Sequence, residues 1–192
     1  MARPSAALRE RLLVSALQLF VHHGFRGTSL QDIASDVGCA KASLLYHFSN
    51  KEAILGEVLA PVVKEVVELD ARLSPLDGDT AAVTAVTGFA DLASRHRQEI
   101  KVLFDTLTEE FHVPDADDEG IKERLVDAFA GRSKEPQARV AALMAIGGIF
   151  IASADDAPLD TEILRVTLIR TALRTLDLQP IRLEGTRPCV QP

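Results

Sequence analysis

Apolar residues recur at three- and four-residue steps over almost the whole chain, and no Val/Ile-rich alternating run stands out. That pattern predicts helices and no sheet. Leu8, Leu12, Ala16, Leu19 and Phe20 mark the buried face of a first helix over about 5–23, which Gly24 stops. A second helix starts after Thr28 or Ser29, because Thr28-x-x-Gln31 and Ser29-x-x-Asp32 both resemble capping boxes. Ile33, Ala34 and Val37 face inward, and Gly38 makes a tight turn. A third helix covers 41–47. Ser49 or Asn50 caps a fourth that runs to Leu73 and should bend at Pro61, which has no N–H to give Glu57. After a break at 74–78, five more helices are expected over about 80–96, 98–111, 120–130, 136–154 and 161–178. The expected fold class is all-α with about nine helices. A three-helix helix-turn-helix domain occupies 1–50, a larger helical body 51–178, and an irregular tail 179–192, where Pro180, Gly185 and Pro188 break any repeat.

Composition changes this picture little, and charge changes it more. Hydrophobic residues are 47% and charged residues 26% of 192, ordinary for a globular protein. The net charge of -7 is unevenly spread. Residues 1–50 hold five basic side chains (Arg3, Arg9, Arg11, Arg26, Lys41) against three acids (Glu10, Asp32, Asp36), so the head is at +2 and the remainder at -9. An acidic body can face away from phosphate while a mildly basic head approaches it, and so weak a head calls for two acting together. Cys39 and Cys189 are the two cysteines, with no C-x-x-C spacing, which fits a reducing compartment. The N-terminus carries charges where a signal peptide needs an apolar run, and no stretch approaches a charge-free span of about 18 residues. A cytoplasmic protein with no membrane partner is expected.

One stretch carries a specific pattern. Phe20-x-x-x-Gly24-Phe25, Thr28-Ser29, Ile33-Ala34, Val37-Gly38, Lys41-Ala42-Ser43-Leu44, Tyr46-His47-Phe48 and Lys51-Glu52 occur in order and spacing over residues 8–55. This stretch resembles the N-terminal domain of TetR-family transcriptional regulators. The resemblance implies an all-helical homodimer that binds double-stranded operator DNA and is released by a small molecule held in the body. Two positions depart from the family's habit. Ala40 stands where a Ser or Thr is usual, losing a cap of about 1 kcal/mol. Leu45 stands where Tyr is favoured, and either touches a thymine methyl or packs inward.

The residues support the same chemistry. A recognition helix offers its N-terminal residues to base edges. Lys41 can reach a phosphate or a guanine edge, Ala42 and Ser43 let the backbone come close, and the Tyr46 hydroxyl can bond a phosphate. Thr28 and Ser29, with amides at a helix start, form a candidate phosphate clamp, joined by Lys51 and Arg26. His47 contacts phosphate or makes a structural hydrogen bond. The alternative for Arg26, Lys41 and Lys51 is an ordinary solvated surface.

In the body, Ala138, Ala141, Ala145, Gly148 and Ala152 form a stripe of small residues on the eighth helix. Ile163, Val166, Ile169 and Leu173 give the ninth an apolar face. Together these predict a four-helix dimer interface, with internal packing as the alternative. Phe89, Leu92, His96, Phe104, Leu107, Thr108, Phe111, Phe129, Leu143 and Met144 are candidates to line an effector pocket, unless they are plain core. Asp115, Asp117, Glu119 and Gly120 match the start of a calcium loop, but position twelve is Val126, so no metal is expected. Cys39 is a redox switch or, more simply, a small turn residue. No nucleophile elbow, P-loop, zinc motif or dinucleotide fingerprint occurs, so neither an enzyme nor a cofactor is indicated. The rival to a regulator is a helical protein-interaction module with an inactive head.

Overall fold

Ser29 opens the second helix as its N-cap: its hydroxyl accepts from the Asp32 amide, and Asp32 bonds back to the Ser29 amide at 2.8 Å. Gly38 closes that helix at φ 75°, a conformation glycine adopts without strain, and its N–H bonds to Ala34 and Ser35 carbonyls. Of the two caps proposed for the fourth helix, Asn50 serves, accepting from the Ala53 amide at 2.7 Å.

A computed structural model describes residues 4–107, 118–155 and 158–178. Nine helices follow one another there: α1 (Pro4–Gly27), α2 (Leu30–Val37), α3 (Lys41–His47), α4 (Lys51–Leu73), α5 (Gly78–Arg95), α6 (Arg97–Leu107), α7 (Asp118–Phe129), α8 (Pro136–Ala154) and α9 (Thr161–Thr175). No strand occurs among the described residues. The expected break at Gly24 is a kink inside α1, at φ 73° and ψ 163°, a region that glycine alone tolerates well. Pro61 lies within α4, which is helical on both sides of it. The acidic stretch around Asp115 and Asp117, and the expected end of the sixth helix at Phe111, lie outside the described residues.

Two main cores organise the chain. The first gathers Leu12, Ala16 and Phe20 of α1, Ile33, Ala34 and Val37 of α2, and Leu44 and Phe48 at α3. It also takes in Ile54, Leu55, Val58 and Leu59 of α4 and Val102 of α6, so head and body share one core across residue 50. The second fills the body with Leu69 and Leu73 of α4, Val86 and Phe89 of α5, Phe129 of α7, Ile149 of α8, and Leu164 and Leu168 of α9. Arg132 ties α4 into it, donating to the carbonyls of Leu73 (2.9 Å) and Leu76 (3.3 Å). Arg97 clasps the α8–α9 connection, donating to the carbonyls of Ser153, Asp155 and Leu159.

One expectation is corrected here. With a mean hydropathy of 1.5 over an 18-residue window, α8 is long and apolar enough to cross a membrane by length and composition. Arg139 interrupts its apolar run, which is why a search for charge-free spans passes over it. Only 22% of that window is buried within the chain, and Val140, Leu143, Met144 and Ile151 stay exposed on its outer side.

Where α4, α5 and α6 meet, Glu65 of α4 accepts from His96 Nε2 at 2.9 Å and from Arg95 at 2.5 Å. The hydrogen bond from His96, helped by the charge of Arg95, holds the Glu65 carboxyl below its ordinary 4.5 despite some desolvation. A carboxyl depressed by folding adds stability above its ordinary pKa and loses that contribution as pH falls through the folded value. Urea melts of Glu65→Gln should show lower stability than the native chain at pH 7. The two curves should converge as pH drops below 4.5.

Candidate nucleic-acid interface

The third helix turns Leu44 fully into the core, with Phe48 just beyond it. Everything else on it points out or to the side. Tyr46 is 83% exposed and Leu45 45% exposed. Lys41 and Ala42 are also exposed, while Ser43 and His47 are half-buried on the flank. Ala40 takes the N-cap position with no side-chain bond, as the missing hydroxyl requires. His47 lies between two rings, with Tyr46 edge-on at 5.3 Å and Phe48 tilted at 6.4 Å.

Three contacts from α1 hold the frame around this helix, two of them to α2 and one to α4 and Phe48. Arg11 of α1 donates to the Val37 carbonyl at the end of α2, at 2.7 Å. Ser15 of α1 donates to Asp36 at 2.6 Å. Arg9 pairs with Glu57 of α4 and lies 5.1 Å over the Phe48 ring. Sequence reasoning missed Arg9, Arg11, Ser15 and Asp36 as positioning residues, because their partners lie 21 to 48 positions away. Two of the head's cations are therefore engaged internally.

Two sequence-stated contacts are corrected. Thr28 is 2% exposed, and its hydroxyl donates to the carbonyls of Gly24 (3.0 Å) and Leu19 (3.2 Å). It braces the kink in α1 and does not offer its side chain outward. Lys51 likewise turns inward, donating to the carbonyls of Phe25 (2.6 Å) and Thr28 (2.8 Å) and lying 4.3 Å over the Phe25 ring. Ser29 is exposed, but its amide is already taken by Asp32. Arg26 is exposed beside it.

The body residues divide differently from the expectation. Phe89 and Phe129 pack edge to face at 5.9 Å inside the main core. Leu92 joins a small cluster with Val62 and Ile100. Phe104 tilts against Phe150 at 5.8 Å, and His96 is bonded to Glu65. Leu143 and Met144 are corrected: at 45% and 65% exposed they stand on the outer face of α8 and do not face the interior. Leu107 is the last described residue of α6, and Thr108 and Phe111 lie outside the described residues. Of the small-residue stripe, Gly148 and Ala152 are exposed and Ala138 and Ala141 half-buried, whereas Ala145 is buried in this chain's own core. On α9, Ile163 and Val166 are exposed and Ile169 half-buried, while Leu173 is corrected to core. Between α8 and α9 runs an apolar groove of about 520 Å³, bordered by Met144, Gly148, Ile151, Leu159, Thr167 and Thr171 among others. Cys39 is half-buried against the head core.

Comparison with known proteins agrees with this geometry. Residues 12–58 match the family described as bacterial regulatory proteins, tetR family. The HTH-type transcriptional regulator RutR of Escherichia coli K12 is 35% identical over 94 residues, 47% of this chain and 42% of RutR. The chain thus matches under half the length of that relative. A TetR-like transcriptional regulator from Rhodococcus sp. RHA1 has a TM-score of 0.67 at 20% identity, covering 92% of this chain and 98% of that one. AibR, solved in complex with isovaleryl coenzyme A and operator DNA, has a TM-score of 0.63 at 19% identity, covering 85% and 97%. At such identities the likeness is one of fold.

The inward Lys51 generates a test. Lys51→Met removes two charge-assisted bonds to carbonyls and should lower stability by about 2 kcal/mol in urea unfolding. A loss of stability at least that large marks a structural lysine, whereas an unchanged midpoint would return Lys51 to the surface.

Proposed function

We propose that this chain, which belongs to the tetR family of bacterial regulatory proteins, is a ligand-responsive transcriptional repressor that binds a palindromic operator as a homodimer. The observation that carries the reading is the outer face of α3. Lys41, Ala42, Leu45 and Tyr46 are presented to solvent from a helix anchored rigidly by Leu44 and Phe48. A short helix so held, with its start outward, suits a major groove. The mildly basic head on an acidic body supports the same orientation.

The uncovered face of α8 and α9 supports the homodimer. Val140, Leu143, Met144, Ile151, Leu159, Ile163 and Val166 are all large, apolar and exposed. Mid-helix Gly147 and Gly148 each cost about 1 kcal/mol relative to alanine. Nothing within 4 Å would meet a side chain at either position, so packing inside this chain gives no reason for them. Close approach by a partner helix at Gly148 does. In such a dimer the two α3 helices enter successive major grooves about 34–36 Å apart.

Ligand response has two supports. AibR, of the same fold, was solved with an acyl-coenzyme A and operator DNA. In this chain α4 and α6 both reach into the head core, so a small apolar or amphipathic effector that moves either in the body shifts the head. The effector site falls among α5 to α8 in this reading, and the protein acts in the cytoplasm.

Selection of bound duplexes from a random DNA pool tests the function. Enrichment of a palindrome is expected. Lys41→Ala and Tyr46→Ala should each weaken binding about tenfold; losing the Lys41 charge should also make binding less salt-dependent, whereas losing the uncharged Tyr46 hydroxyl should leave the salt slope unchanged. No enrichment by a folded dimer would leave a protein-interaction module as the better reading. Gly148→Leu should yield a folded monomer in sedimentation equilibrium. A dimer of undiminished strength would put the helix crossing elsewhere.

A further inference from the structure

The seven residues of α3, Lys-Ala-Ser-Leu-Leu-Tyr-His, include no Arg, Asn, Gln, Asp or Glu. Those side chains carry most of the paired or accepting readout of guanine, adenine and cytosine in the major groove; Lys41 and the half-buried Ser43 are what this helix has in their place. Lys41 is the single cation on the helix, and a point charge at that. Hydrogen-bond readout of bases is therefore thin.

What the helix does present is apolar. Leu45 is 45% exposed, although its neighbour Leu44 is fully buried and already anchors the helix. Ala42 lies three residues earlier, hence beside Leu45 on the helix surface, and is exposed too. Together they form a small apolar strip on the outward side, next to Lys41. The intrachain core does not use it: Leu45 belongs to none of the buried clusters and is not among the side chains packed against the head core. In a major groove the one apolar feature of a base pair is the C5 methyl of thymine.

We propose that Leu45, flanked by Ala42, is a specificity-determining residue that selects thymine by its methyl group. This rests on the reading of α3 as the groove-entering helix. Recognition then divides between two kinds of contact. Lys41 and Tyr46 supply affinity through charge and phosphate, and Leu45 supplies sequence preference through a contact that hydrogen bonding does not replace. The operator half-site carries a thymine at the position facing Leu45. The same strip rejects a cytosine there, because cytosine puts its amino group, and no methyl, against the leucine.

The experiment uses the palindrome enriched from the random pool and the full chain. Each thymine is replaced in turn by uracil, which removes the methyl and keeps every hydrogen bond. One thymine in each half-site should be sensitive. Its replacement should weaken binding about fourfold, and about fifteenfold when both half-sites are changed, the loss expected for one buried methyl each. Leu45→Ala should weaken binding to the thymine operator and bind thymine and uracil operators alike. Its thermal unfolding should match the native chain, because the side chain is exposed. If every uracil operator binds as tightly as its thymine parent while Lys41→Ala still weakens binding, the methyl reading is overturned and the regulator reading stands. If Leu45→Ala keeps the full uracil penalty, another side chain reads the methyl and the assignment to Leu45 is wrong. If no sequence is enriched at all, the regulator reading fails and this inference goes with it.

Discussion

A helix of seven residues does not persist alone in water; below about 12 residues nucleation costs more than propagation returns. The third helix is of that length. Its existence and its aim therefore depend on burying Leu44 and Phe48 in the head core. Everything that packs there becomes a determinant of where Lys41, Ala42, Leu45 and Tyr46 point. That list includes α1, which holds α2 through Arg11 and Ser15. It includes Lys51, whose ammonium bridges the Phe25 and Thr28 carbonyls at the entry to the helix-turn-helix. It also includes two body helices, because Ile54 to Leu59 and Val102 complete the same core.

A shared core has a mechanical consequence. Packed interiors respond to displacement by repacking rather than by stretching. A shift of α4 or α6 in the body is therefore felt by the head without any hinge between them. The node at Glu65, Arg95 and His96 ties α4 to the α5–α6 junction, with Glu99 of α6 3.8 Å from the other nitrogen of the His96 ring. Gln98, two residues on, reaches Gln18 of α1 at 3.3 Å. This packing runs from body to head independently of any bend at Pro61. The helix continues past the proline, and side-chain packing on either side offers the route.

The fold was legible because helix signals here are local. Capping boxes, Gly38, Asn50 and three- to four-residue periodicity all act within a turn or two, and they place each helix to within a few residues of where it lies. The candidate site was legible in outline, since the order of glycines and apolar anchors fixes which face of α3 is buried. What was not legible depends on distant partners. Thr28 and Lys51 have the chemistry of phosphate ligands, yet the kinked end of α1 supplies carbonyls that claim both. On α8 the failure has another cause. The helix is apolar nearly all round, so periodicity carries no direction: the sequence suggests Leu143 and Met144 as interior and Ala145 as surface, and the fold has them the other way round. Only the helices packed against it, α5, α6, α7 and α9, decide which side is inside.

The charge layout links the two ends of the molecule. Of the head's five basic residues, Arg9 and Arg11 are engaged with Glu57 and Val37. Lys41 is left as the cation on α3. Each outward cation displaces about one counterion from DNA, so one such head gains little from the phosphate backbone. The proposed dimer changes that arithmetic. Joining two weak heads makes the second contact intramolecular, at an effective concentration set by the rigid body between them, and can raise affinity by about 10² to 10⁴. The gain depends on geometry, because it vanishes if both grooves cannot be met at once. In that account the apolar face of α8 and α9 does two things: it hides surface that the bundle leaves open, and it sets the spacing on which binding depends. An effector that disturbs the spacing then has a large lever, since it removes the avidity term without touching any contact to DNA.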